Sequence, residues 1–208
     1  MDRGAQISRP HARAWIVATL WGALFLAALC VDRPVAQWVH DHPPFDKHAH
    51  LVAVVKSPGI YFFTIGIAVV LGVFHSRGIR AAILPLIAGA LGGLLYGLIK
   101  WIVGRHRPVI EIAPFKFQPF FNGFVGLFKD PGLSFPSGHT CLSFATATSL
   151  TILLPRWKYL WYPLALIVAA ERVLENAHYV SDVVAGAALG TLCALVSAAV
   201  LRDGNRAS

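Results

Sequence analysis

The hydropathy pattern of the chain is a series of apolar runs broken by short polar stretches. Six segments lie at or near the roughly 17 to 25 residues that carry a helix across a bilayer: 14–31, 57–74, 81–103, 137–154, 159–174 and 183–201. The fifth is interrupted near its end by Glu171 and Arg172. The pattern predicts an all-α fold, an integral membrane bundle of six transmembrane helices in one domain over residues 1–208. Two basic turns (75–80 and 155–158), a medium segment (32–56), a long loop (104–136) and a short one (176–182) join the runs. In the medium segment Phe45, Leu51, Val52, Val54 and Val55 alternate with histidines and lysines, the pattern of an interfacial loop or helix. The first run is long enough to span and has no small-residue cleavage site after it, so it is expected to be retained.

Composition supports lipid as the solvent. Hydrophobic residues make up 56% of the chain and charged residues 13%, with a mean hydropathy of +0.62, whereas soluble domains carry about 25% charge. A chain of 208 residues cannot hide that much apolar surface from water. The formal charge of +8 does not indicate nucleic acid, because the basic residues are dispersed singly and form no stripe. Cys30, Cys141 and Cys193 have no metal-ligand spacing and read as small packing residues.

The charges are sided. If the runs alternate in direction, Arg3, Arg9, Arg13, Arg77, Arg80, Arg156, Lys158, Arg202 and Arg206 fall on one face with only Asp2 and Asp203. The other nine basic residues share the opposite face with eight acids. The strongly basic face is expected to be cytoplasmic, with both termini on it. The two longer loops are then expected on the outer side, which in a bacterial inner membrane is the periplasm.

Ionisable residues in or beside spans are costly and mark function. Here they gather at one membrane level, the outer one. Lys100 closes the third run, and Arg107-Pro108, separated from it by six residues, turns the chain back, since Pro108 cannot continue a helix. Two cations can grip one anion there. Ser137-Gly138-His139 opens the fourth run, with Ser137 a plausible N-cap and Gly138 permitting close backbone approach. A helix start of this kind is a phosphate seat. Arg172, His178 and Asp182 close the set; at i,i+4 on a helix, Asp182 shares a face with the imidazole and can hold one ring nitrogen protonated, leaving the other as a nucleophile.

Lys100 with Arg107-Pro108, then Pro136-Ser137-Gly138-His139, then Arg172 with His178 and Asp182 resemble the three-part signature of the type 2 phosphatidic acid phosphatase superfamily. Order, spacing and residue type all match between Lys100 and Asp182. Where the family often has Ser before the arginine, this chain has Glu171, so the match stops short of that position. The resemblance implies metal-independent hydrolysis of a lipid phosphate through a phosphohistidine, without a cofactor. It makes His178 the nucleophile, Asp182 its orienting partner and His139 the general acid. Lys100, Arg107, Ser137, Gly138 and Arg172 would hold the phosphoryl oxygens. The independent reading agrees, because charge spread over those oxygens calls for cations and N–H donors fixed in advance.

The expected partners are the bilayer and a membrane lipid phosphate: undecaprenyl diphosphate, phosphatidylglycerol phosphate, phosphatidic acid or a lipid A type. No oligomeric state is specified. The nearest rival activity is phosphotransfer to a lipid hydroxyl from the same phosphohistidine. A transporter would place polar residues at the bilayer midplane, where essentially none fall. His40, His42, His48 and His50 read as a solvated interfacial segment, since i,i+2 pairs do not share a helix face. Phe115, Phe117, Phe120, Phe121, Phe124 and Phe128 suit either a lid dipping into the outer leaflet or an interfacial cover. Gly89, Gly92, Gly93 and Gly97 predict close helix packing.

Overall fold

The computed structural model describes residues 9–43, 54–55, 57–120, 123 and 132–204. These form six α-helices and no strand: α1 (Arg9–Asp41), α2 (Tyr61–Phe74), α3 (Ile79–Val103), α4 (Gly138–Leu153), α5 (Lys158–Leu174) and α6 (Val180–Gly204). The all-α expectation holds. Among the described residues three stretches are long and apolar enough to cross a membrane, Trp15–Asp41, Ile79–Val103 and Val180–Asp203. At 1.5 Å per residue α3 is about 37 Å long, more than the roughly 30 Å hydrocarbon core.

The remaining helices depart from six equal spans. Helix α2 has 14 residues, because Ser57–Gly59, with Pro58 inside it, makes a 3-10 turn before the helix starts. Helices α4 and α5 have 16 and 17 residues. Twelve of the sixteen in α4 are buried, so this helix is sheathed by its neighbours and its environment is protein. That explains its Ser and Thr content. Thr146 shares a hydrogen bond with Thr64 of α2 at 2.9 Å, Ser149 Oγ donates to Ala145 O at 2.8 Å, and Ser143 Oγ donates to Thr140 O at 3.0 Å.

Helix α1 corrects the sequence boundary most. The apolar run stops at residue 31, yet the helix continues to Asp41. Asp32 does not end it because its carboxylate is fully buried against Arg105 and Ser181. His40 therefore lies in α1, and His42 just after it, its ring stacked on Trp38. His48 and His50, with Phe45, Leu51 and Val52, lie outside the described residues.

Helix α4 sits centrally against α3, α5 and α6, while α2 pairs with α3, and α1 packs on α6. The α4–α6 crossing is close because small residues face it. A Cβ on Gly190 would collide with the backbone of Cys141 and Ala145, and one on Gly186 would lie 2.5 Å from Ser137 O. Gly89, Gly92 and Gly93 also meet neighbours, but Gly97 has nothing within 4 Å. Overpacking a core usually costs about 1–3 kcal/mol, and backbone atoms at a crossing cannot swing aside as a side chain can. Gly190→Leu is expected to cost at least that much and Gly97→Ala nothing, as read from melting midpoints in detergent.

Candidate active site

The site is assembled where α3 ends and α4 and α6 begin. Lys100 occupies the last turn of α3, and Gly104 stops that helix in the left-handed conformation (φ 63°, ψ 36°), its N–H donating to Lys100 O at 2.9 Å. A side chain at 104 would also run into the Gln118 carbonyl. The next three residues form a short extended strip clamped from both sides. Gln118 N donates to Gly104 O (2.8 Å), Ser134 N to Arg105 O (2.6 Å) and Arg107 N to Gly132 O (3.0 Å). Arg107 Nε donates to Leu133 O at 3.2 Å, which fixes the start of its guanidinium. Val109 N donates to Asn176 O at 3.0 Å and ties the strip to the α5–α6 turn.

Ser137 stands at the N-cap of α4 as expected (φ −70°, ψ 114°), but its side chain makes no capping bond. Its hydroxyl accepts from Thr140 Oγ1 at 2.9 Å, and its N–H donates to Asp182 O at 3.0 Å. That backbone bond joins the first turns of α4 and α6. Gly138 has a packing reason beside ligand approach, since a Cβ there would lie 2.9 Å from the Tyr96 ring of α3. The same ring lies 5.8 Å from Lys100 Nζ. His139 follows in the first turn of α4, backed by Gly59, where a Cβ would be only 2.8 Å away.

His178 is not helical, which corrects the i,i+4 helix expectation. It lies two residues before α6, after a reversal at Asn176 (φ 56°), and its N–H donates to Arg172 O at 3.2 Å. Asp182, in the first turn of α6, reaches back so that Oδ2 accepts the Tyr179 N–H at 2.8 Å, one half of a capping box. The same Oδ2 stands 3.6 Å from His178 Nδ1. That is beyond hydrogen-bond length, and Nδ1 is buried without a partner. Such contacts tighten when substrate binds. Burial pushes the His178 imidazole below its ordinary value of 6.5; Asp182 opposes this, while the charges of Lys100 and Arg107 add to it. The charges of Lys100 and Arg107 are thus close enough to bear on the His178 imidazole.

Arg172 is buried, and its guanidinium is turned onto acids. Nε donates to Glu171 Oε2 at 2.6 Å, Nη2 to Glu171 Oε1 at 2.7 Å, and Glu175 lies 2.6 Å from Nη2. Its contact with His178 runs through its backbone carbonyl. The Arg172 guanidinium is thus held by two carboxylates, which the sequence reading of it as a phosphate ligand did not foresee.

Four residues without an assigned role belong here. Arg105 is fully buried and bonded to Asp32, Ser181 and Asp182, with its guanidinium 4.1 Å from the centre of the Tyr179 ring. The Tyr179 hydroxyl accepts from Ala113 N and donates to Glu111 O, both at 3.1 Å, which anchors the long loop to the segment bearing His178. The signal in the sequence was an acid, Asp32, at the end of an apolar run, which demands a partner. Along the loop, Phe115, Phe117 and Phe120 are exposed, and Phe120 meets Trp101 edge-on at 4.8 Å.

Residues 81–206 match the family model of the PAP2 superfamily. The chain belongs to this superfamily. Among its relatives is a lipid A 1-phosphatase of Rhizobium johnstonii, 36% identical over 110 residues, covering 52% of this chain and 43% of that protein. The chain thus spans less than half the length of that relative. A probable lipid phosphate phosphatase beta of Arabidopsis thaliana is 26% identical over 208 residues, covering 84% and 90%. The crystal structure of a transmembrane PAP2 type phosphatidylglycerolphosphate phosphatase from Bacillus subtilis superposes with a TM-score of 0.63 at 19% identity, covering 89% of this chain and 96% of that one. LpxE of Aquifex aeolicus gives a TM-score of 0.61, also at 19% identity, covering 81% and 94%. A PAP2 fold is shared with both.

Proposed function

We propose that this PAP2 protein hydrolyses the phosphate or diphosphate head group of a membrane lipid through a phosphohistidine at His178. The observation that carries the reading is the buried His178, with Asp182 beside Nδ1 and the Lys100 and Arg107 charges bearing on the imidazole. Asp182 on the Nδ1 side leaves Nε2 as the attacking atom. Nε2 forms the bond to phosphorus as the bond to the leaving oxygen breaks, and His139 gives that oxygen its proton. His139 then takes a proton from water, which attacks phosphorus, breaks the P–N bond and releases phosphate. Lys100, Arg107, the Ser137 hydroxyl and the first-turn amides of α4 from Gly138 onward hold the oxygens. Arg172 joins them when phosphate displaces a carboxylate from its guanidinium.

In this reading all six helices cross the inner membrane, the shorter ones within a bundle where protein replaces lipid around them, and the site faces the periplasm. The substrate class is that named by the relatives: lipid A 1-phosphate, phosphatidylglycerol phosphate and other lipid phosphates. Because fixed cations and amides supply the charge, no metal is required. Purified protein in mixed micelles should release phosphate from a panel of these lipids, equally with and without EDTA, and vanadate should inhibit it as a mimic of five-coordinate phosphorus. Loss of turnover in EDTA, restored by a divalent ion, would overturn the metal-free step. Phosphate appearing on a second lipid instead of in solution would make the enzyme a phosphotransferase.

A further inference from the structure

Three ionised side chains are buried together behind the site. Arg105 is 1% exposed, and Asp32 and Asp182 are 0%. Arg105 Nη2 meets Asp32 Oδ2 at 2.7 Å and Nη1 meets Asp182 Oδ1 at 2.6 Å, so the guanidinium bridges the two acids. Ser181 closes the ring. Its hydroxyl accepts from Arg105 Nη1 (2.7 Å) and donates to Asp32 Oδ2 (2.5 Å), and its N–H donates to Asp32 Oδ1 (2.8 Å). Burial of charge is a poor way to stabilise a fold, since apolar residues of similar volume often do as well or better. Packing alone does not account for this cluster.

What the cluster does, and an apolar plug cannot, is fix both oxygens of Asp182. Oδ1 is taken by Arg105 and Oδ2 by the Tyr179 N–H, which leaves Oδ2 as the oxygen nearest His178 Nδ1. Held by Asp182 alone, Arg105 would be free to pivot and its charge would largely cancel that of the carboxylate. Asp32 holds the other arm of the guanidinium and balances its charge, so the negative charge of Asp182 remains available to the imidazole. We infer that Asp32, acting through Arg105, positions Asp182 for His178, so that α1 is part of the active-site apparatus although it lies outside residues 81–206. This role rests on the reading of His178 as the nucleophile. Asp32 and Arg105 are positioning residues, touching no reacting atom.

The test is a double-variant cycle. Asp32→Asn should lower kcat by about tenfold or more, in the range of partners that orient a functional ligand, with KM little changed because Asp32 contacts no phosphate. In an Asp182→Asn background the same change should have no further effect, since its route is already cut. Asp32→Glu should recover part of the loss. Ser181→Ala removes a bridge without changing any charge and serves where Asp32→Asn does not fold; it should show a smaller loss with the same dependence on Asp182. A second readout does not need turnover. In 15N-histidine-labelled protein in detergent, the His178 titration midpoint should fall in Asp32→Asn, with Asp182, Lys100 and Arg107, the charges that bear on it, left unchanged. A wild type that hydrolyses no lipid phosphate would sink the proposed function, and the titration would still decide the coupling. Losses that multiply in the double variant, or a His178 midpoint unmoved in both Asp32→Asn and Ser181→Ala, would overturn the inference.

Discussion

His178→Ala should abolish turnover, by about 10⁴-fold or more, because removing a nucleophile leaves only binding and electrostatics. The variant should still bind vanadate or phosphate weakly through Lys100 and Arg107, and rapid quenching should find no acid-labile phosphoprotein. His139→Ala should behave differently. If it protonates the leaving oxygen, its loss should be severe for a lipid alkoxide and mild for an activated aryl phosphate, whose oxygen departs without a proton. Equal losses on both substrates would count against that role. The pH profile carries a further sign. The nucleophile works neutral, and burial with Lys100 and Arg107 keeps His178 neutral below its ordinary 6.5. The acid limb of kcat/KM should therefore fall below pH 6.5, and Arg107→Met, which removes one lowering charge, should move that limb upward whatever it does to substrate binding.

The candidate site was legible in the sequence because it rests on a few side chains whose types and order stand out against the apolar runs. Lys100, Arg107, Ser137, His139, His178 and Asp182 announce themselves as polar groups at the ends of apolar runs. What was not legible depends on pairs far apart in the chain. Asp32 reads as the end of a helix until Arg105, 73 positions away, and Ser181, 149 away, are brought to it. Once its charge is neutralised inside the protein, the reason for ending the helix is gone. Arg172 illustrates the converse. Its position was readable, but the direction of its guanidinium depends on Glu171 and Glu175, which take the donors a phosphate would need. The glycines of α3 show the limit of pattern reading: Gly92 and Gly97 look alike in sequence, yet only Gly92 has a neighbour, Cys141 Sγ at 3.1 Å.

A cysteine at position 116 in the long loop and one at position 76 in the α2–α3 turn should react oppositely with a thiol reagent that cannot cross the inner membrane. Lys116→Cys should label in intact spheroplasts, and Ser76→Cys only after lysis. The geometry places the two sites at opposite ends of α3. Arg80 lies in its first turn and Lys100 in its last, about 30 Å apart at 1.5 Å per residue. Helices α4 and α6 point the same way, with His139 and Asp182 in their first turns and Leu153 and Arg202 near their far ends. There Arg77, Arg80 and Arg202 line one cavity of about 1040 Å³, a convergence of basic residues at the end opposite the histidines. Short basic loops resist translocation, so this end is expected in the cytoplasm and the histidines on the other side. Lys116 is about half exposed and its ion pair with Glu111 is a surface one, so the substitution leaves the fold intact. Cys30 is exposed and is replaced first to clear the background; Cys141 and Cys193 are buried. A site on the periplasmic side meets lipid phosphates only after they reach the outer leaflet. The opposite labelling pattern would move the site to the cytoplasmic leaflet and reverse the order in which substrates should be tried.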